Sequence, residues 1–450
     1  MFKRKIYEKL INWKKHSSND TALLIEGARR IGKSTIVEEF AKKEYKSYIL
    51  IDFNDASDVV KEAFNKYLND LNLFYMILST EYNTILYPHN SLIIFDEVQQ
   101  FPKARQSIKK LIKDGRYSFI ETGSLVSIKE NVENITIPSE ERSIKMYPMD
   151  FEEFCWACGE TQLVNYIRTC FNELTPLEND LHKKAMLFFR QYMLVGGMPQ
   201  SISAFLNDRN FVESDLLKRD IISLYKKDIS KANKKYKYNI LAIFEQIPAF
   251  LSKQEKRVRL SNISSESDYP SYEETFEWLE DSMITNMCFN TTDPNIGLGI
   301  NEERTFVKCY MGDTGLLVSH AFSENEIIDN ELYKQILFNK LSLNEGMLFE
   351  NAIAQCLVAN GYKLYYYTQY DKTKKRNDIE IDFIISNKSK TKYKINPIEV
   401  KSSKDYRTTS LLKFKDKYRE RIDKLYIIHT KNLIIKDDII CIPSYMTFCL

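Results

Sequence analysis

A glycine-rich segment near the amino terminus constrains the fold of this chain more than any other feature. Residues 27–34 read GARRIGKS, which has the spacing Gly-x4-Gly-Lys-Ser. An apolar stretch at 21–26 precedes the segment, and a helical pattern to about Glu44 follows it. Glycine lets backbone N–H groups close around phosphate oxygens, and the amino end of a helix adds partial positive charge. The segment therefore predicts a phosphate-binding loop (P-loop) for ATP.

The residues around this loop have separate expected roles. Lys33 is expected to contact the β- and γ-phosphates, and the hydroxyl of Ser34 to ligate Mg²⁺. A buried strand candidate at 91–95 ends in two acids, of which Asp96 is expected to hold Mg²⁺ through water and Glu97 to act as general base. ATP and Mg²⁺ are thus the predicted cofactors. The predicted nucleotide-binding residues are Gly27, Ala28, Arg29, Arg30, Ile31, Gly32, Lys33, Ser34 and Thr35.

Three further residues are candidates for the hydrolysis step. Thr122 and Ser124 follow a strand candidate at 117–121, and their hydroxyls either orient the attacking water or form a simple turn or cap. Arg142 begins the last strand candidate of this region, and it either acts on a neighbouring subunit's nucleotide or pairs on the surface. Strands alternate with helices through residue 150, which predicts an α/β fold with a parallel sheet covered on both faces.

The chain after residue 150 changes to helical patterns that are rich in Tyr, Phe and Lys, with a turn at 196–199. A lysine tract near its end either contacts DNA phosphates without sequence preference or is a solvated helical face. The tract consists of Lys226, Lys227, Lys231, Lys234, Lys235 and Lys237.

The next stretch has the order of a winged helix, which is three helices followed by two strands. The helix candidates lie at 238–252, 260–264 and 272–281, and the strand candidates at 284–290 and 305–311. The third helix candidate is acidic, which argues against direct reading of DNA bases. An architectural or protein-binding role is the alternative.

The carboxyl-terminal part carries a candidate cluster of charged residues. Asp382 lies in an alternating strand pattern, and Glu399 and Lys401 share one face of the next strand. Glu350, on the preceding helix candidate, completes the set. Two carboxylates, Asp382 and Glu399, that bind Mg²⁺ beside a lysine would suit phosphodiester cleavage. The alternatives are ion pairing on an edge strand, or a degenerate copy that only binds nucleic acid.

Composition excludes several classes of protein. The 450 residues carry a net charge of only +2, so any nucleic-acid binding must depend on local patches. Among eight cysteines only Cys155 and Cys158 are close together, and we expect free buried thiols rather than a zinc site. No run of apolar residues is long enough to span a membrane, and the amino terminus lacks the pattern of a signal peptide. We therefore expect a cytoplasmic protein.

Several segments together resemble one known family over almost the whole chain. They are GARRIGKST, IIFDEVQQFP, ETGSLVS, YPMDFEEF, LVGGMPQSI, YMGDTGLL, LFENAIAQ, IEIDFII and PIEVKSS. The chain is similar to bacterial and archaeal AAA+ ATPases that have a carboxyl-terminal domain of unassigned function. Glu141 stands where many members carry glycine.

The resemblance implies an AAA+ core at 1–150, a helical lid at 151–235, a winged helix at 236–330 and a restriction-endonuclease-like domain of the PD-(D/E)xK type at 331–450. It also implies a homo-oligomer in a ring or open form. The expected function is ATP hydrolysis coupled to action on DNA, with a metal-dependent nuclease as an added possibility. The alternative is a nucleotide-switched scaffold that binds a protein partner through a degenerate nuclease-like domain.

Overall fold

The computed structural model describes most of the chain, in two compact units. The first unit is Met1–Tyr147 with Asp281–Met283, and the second is Pro148–Glu280 with Ile284–Leu450. The described residues are 1–124, 138–233, 235–253, 256–258, 269–295, 297–324, 330–337, 345–371, 373, 376–386, 394–403 and 405–450. The predicted helix at 260–264 and Lys234 of the lysine tract lie outside these ranges.

The first unit is built on a five-stranded sheet in which every neighbouring pair of strands is parallel. The strand order is β2-β3-β4-β1-β5. This confirms the predicted α/β fold with a parallel sheet. The strands are β1 (Ala22–Glu26), β2 (Ser47–Asp52), β3 (Ser91–Asp96), β4 (Ser118–Gly123) and β5 (Glu141–Lys145), and the helices are α1 (Ile6–His16), α2 (Lys33–Glu44), α3 (Asp58–Lys66), α4 (Leu71–Glu81) and α5 (Pro102–Asp114).

An aromatic cluster fixes strand β3, whose end carries the two predicted acids. Phe95 contacts Phe53 and Phe64 edge to face, with ring centres 5.7 and 5.5 Å apart. Phe101, just past the acids, stacks on Phe53 at 5.4 Å. Each such pair adds about 1 kcal/mol to the free energy of burial. Packing on both sides of the acids therefore holds them at the carboxyl edge of the sheet, which is also the edge that the P-loop follows.

The second unit combines a helical region with an eight-stranded mixed sheet in the order β12-β13-β11-β10-β9-β8-β6-β7. Its helices are α6 (Phe151–Ala157), α7 (Thr161–Glu173), α8 (Asn179–Val195), α9 (Pro199–Asp208), α10 (Phe211–Lys231), α11 (Lys237–Leu251), α12 (Tyr269–Asp281), α13 (Thr314–Ala321), α14 (Asn330–Leu337), α15 (Glu345–Ala359) and α16 (Thr409–Tyr418). Its strands are β6 (Thr285–Thr291), β7 (Glu302–Met311), β8 (Leu364–Asp371), β9 (Arg376–Ser386), β10 (Ile395–Val400), β11 (Leu425–His429), β12 (Ile434–Lys436) and β13 (Ile439–Pro443).

The two strands predicted as the wing of a winged helix are part of this large sheet. They correspond to β6 and β7, which pair with each other in antiparallel fashion. β6 also pairs in parallel with β8, where Cys288 lies opposite Leu364. The sheet therefore continues across the boundary that the sequence places between residues 330 and 331, because backbone hydrogen bonds join strands on its two sides.

Three of the quoted sequence segments pack against each other in the second unit. A Cβ on Gly197 would lie 2.0 Å from the carbonyl oxygen of Met149, and one on Gly315 would lie 2.4 Å from that of Val195. Only glycine allows such close approach of two backbones. The carboxylate of Asp313 accepts hydrogen bonds from the backbone N–H groups of Gly197 and Leu316. The YPMDFEEF, LVGGMPQSI and YMGDTGLL segments therefore build a buried joint.

Findings on membrane spans, cysteines and metal ligands bear on the expectations from composition. Within the described ranges, no helix is long and apolar enough to cross a membrane. The eight cysteines are free thiols, and Cys155 is buried while Cys158 is partly exposed. Across the part of the chain that the structure describes, no group of three His, Cys, Asp or Glu residues is arranged to hold a metal ion.

Candidate functional sites

The P-loop follows β1 and turns sharply into helix α2. Gly32 adopts φ +91° immediately before Lys33 begins the helix. A Cβ on Gly27 would lie 2.5 Å from both the carbonyl oxygen of Met146 and a side-chain carbon of Ile31. Both glycines are therefore required by geometry, the first by close packing and the second by its backbone conformation.

The side chain of Lys33 folds back onto the P-loop. Its ammonium group donates hydrogen bonds to the carbonyl oxygens of Gly27 and Ala28, both at 2.9 Å. Burial lowers the pKa of Lys33, and the nearby carboxylates of Glu97 and Asp96 oppose that effect. A bound phosphate would offer the ammonium a charged acceptor in place of two neutral ones, and such hydrogen bonds are stronger.

Ser34 and Asp96, the two predicted metal-binding residues of the first unit, are in direct contact. The hydroxyl of Ser34 donates a hydrogen bond to Asp96 Oδ1 at 2.8 Å, and the hydroxyl of Thr122 donates to the same oxygen. Burial raises the pKa of Asp96, against the two hydroxyl groups, which lower it. Hydroxyl and carboxylate oxygens beside a phosphate-binding loop are the donors that Mg²⁺ prefers, so these residues fit the predicted ion.

Glu97 is held by two neighbours in an unusual backbone conformation. Its φ is +51°, a region that residues with a side chain adopt at a cost of about 1 kcal/mol or more. Its N–H donates to the hydroxyl of Thr122 at 3.3 Å. The side-chain amide of buried Gln99 donates to the Glu97 carboxylate. Gln99 is thus a candidate site residue that the sequence analysis missed, although its position two residues after the acids in DEVQQ was a signal.

The other two predicted residues are Ser124 and Arg142. Ser124 follows the end of β4. Arg142 is exposed on β5 and donates to the hydroxyl of Ser17 at 2.9 Å. It pairs in register with Leu23, four residues before Gly27, which places it toward the amino edge of the sheet and away from its own P-loop.

Glu141, beside Arg142, forms a buried ion pair in the first unit. Both of its carboxylate oxygens accept hydrogen bonds from Arg105, each at 2.7 Å. This paired geometry is the strongest that a guanidinium and a carboxylate form. Glu141 therefore has a structural partner in Arg105.

The four predicted residues of the carboxyl-terminal cluster come together in the second unit, on α15, β9 and β10. Asp382 accepts a hydrogen bond from the backbone N–H of Val400 at 2.8 Å. Lys401 lies 2.9 Å from a carboxylate oxygen of Glu399. Burial of Glu399 raises its pKa to about 7, although Lys401 opposes the effect.

Two lysines and a tyrosine that the sequence analysis missed join this cluster. Lys256 forms an ion pair with Glu350, and Tyr310 donates a hydrogen bond to it. Lys308 lies 3.5 Å from Glu350 and 4.0 Å from Asp382. Burial would raise the pKa of Glu350, but the two ammonium groups outweigh it and lower the pKa to about 2. The signal in the sequence was a lysine inside the otherwise apolar run VKCYM at 307–311.

These surroundings do not fit Mg²⁺ at Asp382 and Glu399, in contrast to the sequence-based prediction. A divalent cation needs several oxygen ligands that face an open position. Here the ammonium group of Lys308 lies between two of the carboxylates, and Lys401 contacts the third. The carboxylate charges are therefore already balanced by the protein's own lysines.

The first unit has the fold and the residues of a P-loop nucleotide-binding domain. Residues 19–155 match the family model described as an AAA domain. This stretch of the chain is therefore an AAA domain, in agreement with the predicted resemblance to AAA+ ATPases. Residues 186–326 and 345–446 match two domains of unknown function, DUF8612 and DUF4143. No protein with a curated description matches the chain.

Several solved structures of archaeal proteins are similar to the chain. The Walker-type ATPase PABY2304 of Pyrococcus abyssi is 14% identical over 71% of this chain and 96% of that one, with a TM-score of 0.42. Cdc6p from Pyrobaculum aerophilum is 11% identical over 74% and 92%, with a TM-score of 0.24. The STAND protein PH0952 from Pyrococcus horikoshii is 13% identical over 79% and 48%, with a TM-score of 0.29. Similarities this low assign no function to the chain.

Proposed function

We propose that the protein is a Mg²⁺-dependent ATPase in which Lys33 binds the phosphates and Glu97 is the general base. The observation that carries the proposal is the convergence of Ser34 and Thr122 on the carboxylate of Asp96, directly beside Glu97 and the P-loop. These parts come from three separate stretches of the chain. Their convergence at one edge of a parallel sheet is the arrangement that phosphoryl transfer requires.

Each of these residues would have a separate role in hydrolysis. Ser34 and Asp96 would hold Mg²⁺, which neutralises the charge on the phosphate oxygens when it is bound. Lys33 exchanges its two loop carbonyls for phosphate oxygens. The carboxylate of Glu97 orients the attacking water and accepts its proton. Thr122 connects the two acids, since its hydroxyl donates to Asp96 and accepts from the N–H of Glu97.

The test is to separate nucleotide binding from turnover. We expect Lys33→Ala to lose nucleotide binding, and Glu97→Gln to bind ATP normally while its turnover falls by about 10²-fold or more. Glu62→Gln is a matched control, because Glu62 is an exposed acid that pairs with Lys66 on a helix surface. Binding and phosphate release are measured with Mg²⁺ and with EDTA. Unchanged turnover in Glu97→Gln would show that another group is the base.

Two proposals concern what the ATPase drives, namely action on DNA or a nucleotide-switched scaffold that binds a protein partner. The lysine tract favours the scaffold, because three of its members are already paired with acids. Lys226 pairs with Glu245, Lys231 with Asp228 and Lys235 with Glu274. Paired lysines release fewer counterions from DNA and so contribute less to affinity.

ATP turnover with and without DNA distinguishes these two proposals. Stimulation by DNA that weakens between two salt concentrations would support action on DNA, since phosphate contacts are salt-dependent. Turnover that is the same with single-stranded, duplex and branched DNA at low salt would support the scaffold.

A further inference from the structure

We propose that the carboxylate cluster of the second unit is a closed network of ion pairs, in which the ammonium group of Lys308 takes the position that a nuclease would give to its divalent cation. The network joins strand β7 to helix α15 and strand β9. All of its residues belong to the second unit, so the tests of this proposal do not depend on the ATPase assignment.

Lys308 is the central residue of the network. Only 1% of its side chain is exposed, and its Nζ atom lies 3.5 Å from Oε1 of Glu350 and 4.0 Å from Oδ1 of Asp382. It also lies 4.9 Å from the ring centre of Tyr366, which provides a cation–π contact. Because β6 and β8 separate β7 from β9 in the sheet, the side chain extends along the sheet face to reach Asp382. Three contacts thus hold one buried positive charge between two acids.

The carboxylate oxygen atoms of Glu350 and Asp382, the two acids beside Lys308, already have partners. One oxygen of Glu350 pairs with Lys256, and the other accepts the hydroxyl of Tyr310 and faces Lys308. One oxygen of Asp382 faces Lys308, and the other accepts the N–H of Val400. A metal ion would have to displace these partners before it could bind.

Charge balance leads to the same conclusion. The cluster contains three carboxylates and three ammonium groups, which are Glu350, Asp382, Glu399, Lys256, Lys308 and Lys401. When all six groups are ionised their charges cancel, and the raised pKa of Glu399 makes the sum more positive at neutral pH, so these six groups exert little attraction on a cation. A divalent ion between Glu350 and Asp382 would lie beside the buried ammonium of Lys308, and a buried like-charge pair is strongly unfavourable. We infer that the cluster stabilises the fold and does not cleave phosphodiesters.

The first experiment measures Mn²⁺ binding to the full chain without nucleotide, by paramagnetic resonance of free Mn²⁺. Wild type, Asp382→Asn and Ser34→Ala are compared. We expect Asp382→Asn to bind as much Mn²⁺ as wild type, while any binding through the P-loop falls in Ser34→Ala. We also expect no Mg²⁺- or Mn²⁺-dependent cleavage of single-stranded, duplex or branched DNA. Loss of one Mn²⁺ site in Asp382→Asn, or cleavage that this substitution removes, would overturn the proposal.

The second experiment tests the ion pairs themselves through a cycle of Lys308→Met, Glu350→Gln and the double variant. Removal of one partner leaves the charge of the other uncompensated, whereas the double variant removes both charges of this pair and leaves Asp382 and Lys256 with one partner fewer each. We expect the melting temperature of each single variant to be several degrees below that of wild type. The loss in the double variant should be clearly smaller than the sum of the two single losses. Strict additivity would contradict the network. If Lys308→Met does not fold, the Mn²⁺ comparison of wild type with Asp382→Asn still decides the question.

Discussion

The hydroxyl group of Ser34 lies 2.8 Å from the carboxylate of Asp96 and donates a hydrogen bond to it across 62 residues of sequence. This contact joins the helix that begins at the P-loop to the end of strand β3. It forms because parallel strands bring their carboxyl ends to one edge of the sheet, where the loop after β1 also lies. The two oxygens are therefore already together at the position where the proposed function places Mg²⁺.

The first prediction concerns Asp96→Asn. The amide cannot supply the negative charge that holds Mg²⁺, so we expect ATP affinity to become independent of Mg²⁺ and turnover to fall by about 10²-fold. Asp52→Asn is the matched control, because Asp52 pairs in register with Asp96 on the neighbouring strand. Equilibrium binding of ATP across a Mg²⁺ series is the measurement. A Mg²⁺ dependence equal to that of wild type would remove Asp96 from the site.

The second prediction concerns Gln99, for which the observed contact with the proposed site is its hydrogen bond to Glu97. Gln99→Ala removes the amide that donates to the Glu97 carboxylate. We expect kcat to fall by about tenfold with KM unchanged, because ground-state binding does not involve this contact. The exposed neighbour Gln100 supplies a control, and equal effects of Gln99→Ala and Gln100→Ala would argue against a positioning role.

Much of the nucleotide site was predictable because its signals are local. The P-loop occupies eight consecutive residues, and Asp96 and Glu97 end an apolar strand, so neither needs information about distant contacts. The pattern of strands and helices also predicted the parallel sheet. Gln99 was not predicted as a site residue, because a glutamine in a turn after a strand is common and only its side-chain contact distinguishes it.

The second unit was harder to predict because its contacts are distant in sequence. Lys308 lies 42 residues before Glu350 and 74 before Asp382, on a strand whose pattern fitted a wing equally well. Strand periodicity shows which residues share a face but gives no information on which strands become neighbours. The four predicted cluster residues could therefore be found, whereas the lysine that balances two of them could not.

Gly197→Ala tests the buried joint of the second unit. The added Cβ would lie 2.0 Å from the backbone oxygen of Met149, which also accepts a hydrogen bond from the buried hydroxyl of Tyr192, so we expect a loss of roughly 3 kcal/mol in stability. Gly361→Ala is the comparison, because Gly361 has φ +85° with no atom within 4 Å of an added Cβ. There only the backbone conformation is unfavourable, at about 1 kcal/mol. Chemical denaturation measures both, and equal losses would show that close packing at Gly197 is unimportant.

The buried ring of His429 should make the folded protein less stable at acid pH. The ring lies 2.8 Å from the hydroxyl of Tyr406 and 3.1 Å from the carbonyl oxygen of Asn432, and burial lowers its pKa from 6.5 to about 4. Between these two values the unfolded chain binds a proton that the folded protein excludes. Stability is therefore fully present above pH 6.5 and falls as the pH drops toward 4, by up to about 3 kcal/mol.

The measurement is denaturation at pH 7 and pH 4.5 for wild type, His429→Gln and His16→Gln. We expect His429→Gln to lose less stability than wild type over this interval, because it has no proton to exclude. His16 is exposed, so its variant should follow wild type. A parallel decline in all three proteins would assign the acid sensitivity to other groups.

Arg142 gives the last prediction, which also tests assembly. The side chain is exposed and lies away from its own P-loop, so an action on ATP requires a neighbouring subunit. We expect turnover to fall by about 10³-fold in Arg142→Ala, whereas Lys145→Ala, which removes an exposed cation at the other end of β5, keeps its activity. An equal mixture of Arg142→Ala and Lys33→Ala subunits should then recover about one quarter of wild-type turnover, since a quarter of the interfaces of a head-to-tail assembly combine an intact loop with an intact arginine. Wild-type turnover in Arg142→Ala alone would show that the arginine has no part in hydrolysis.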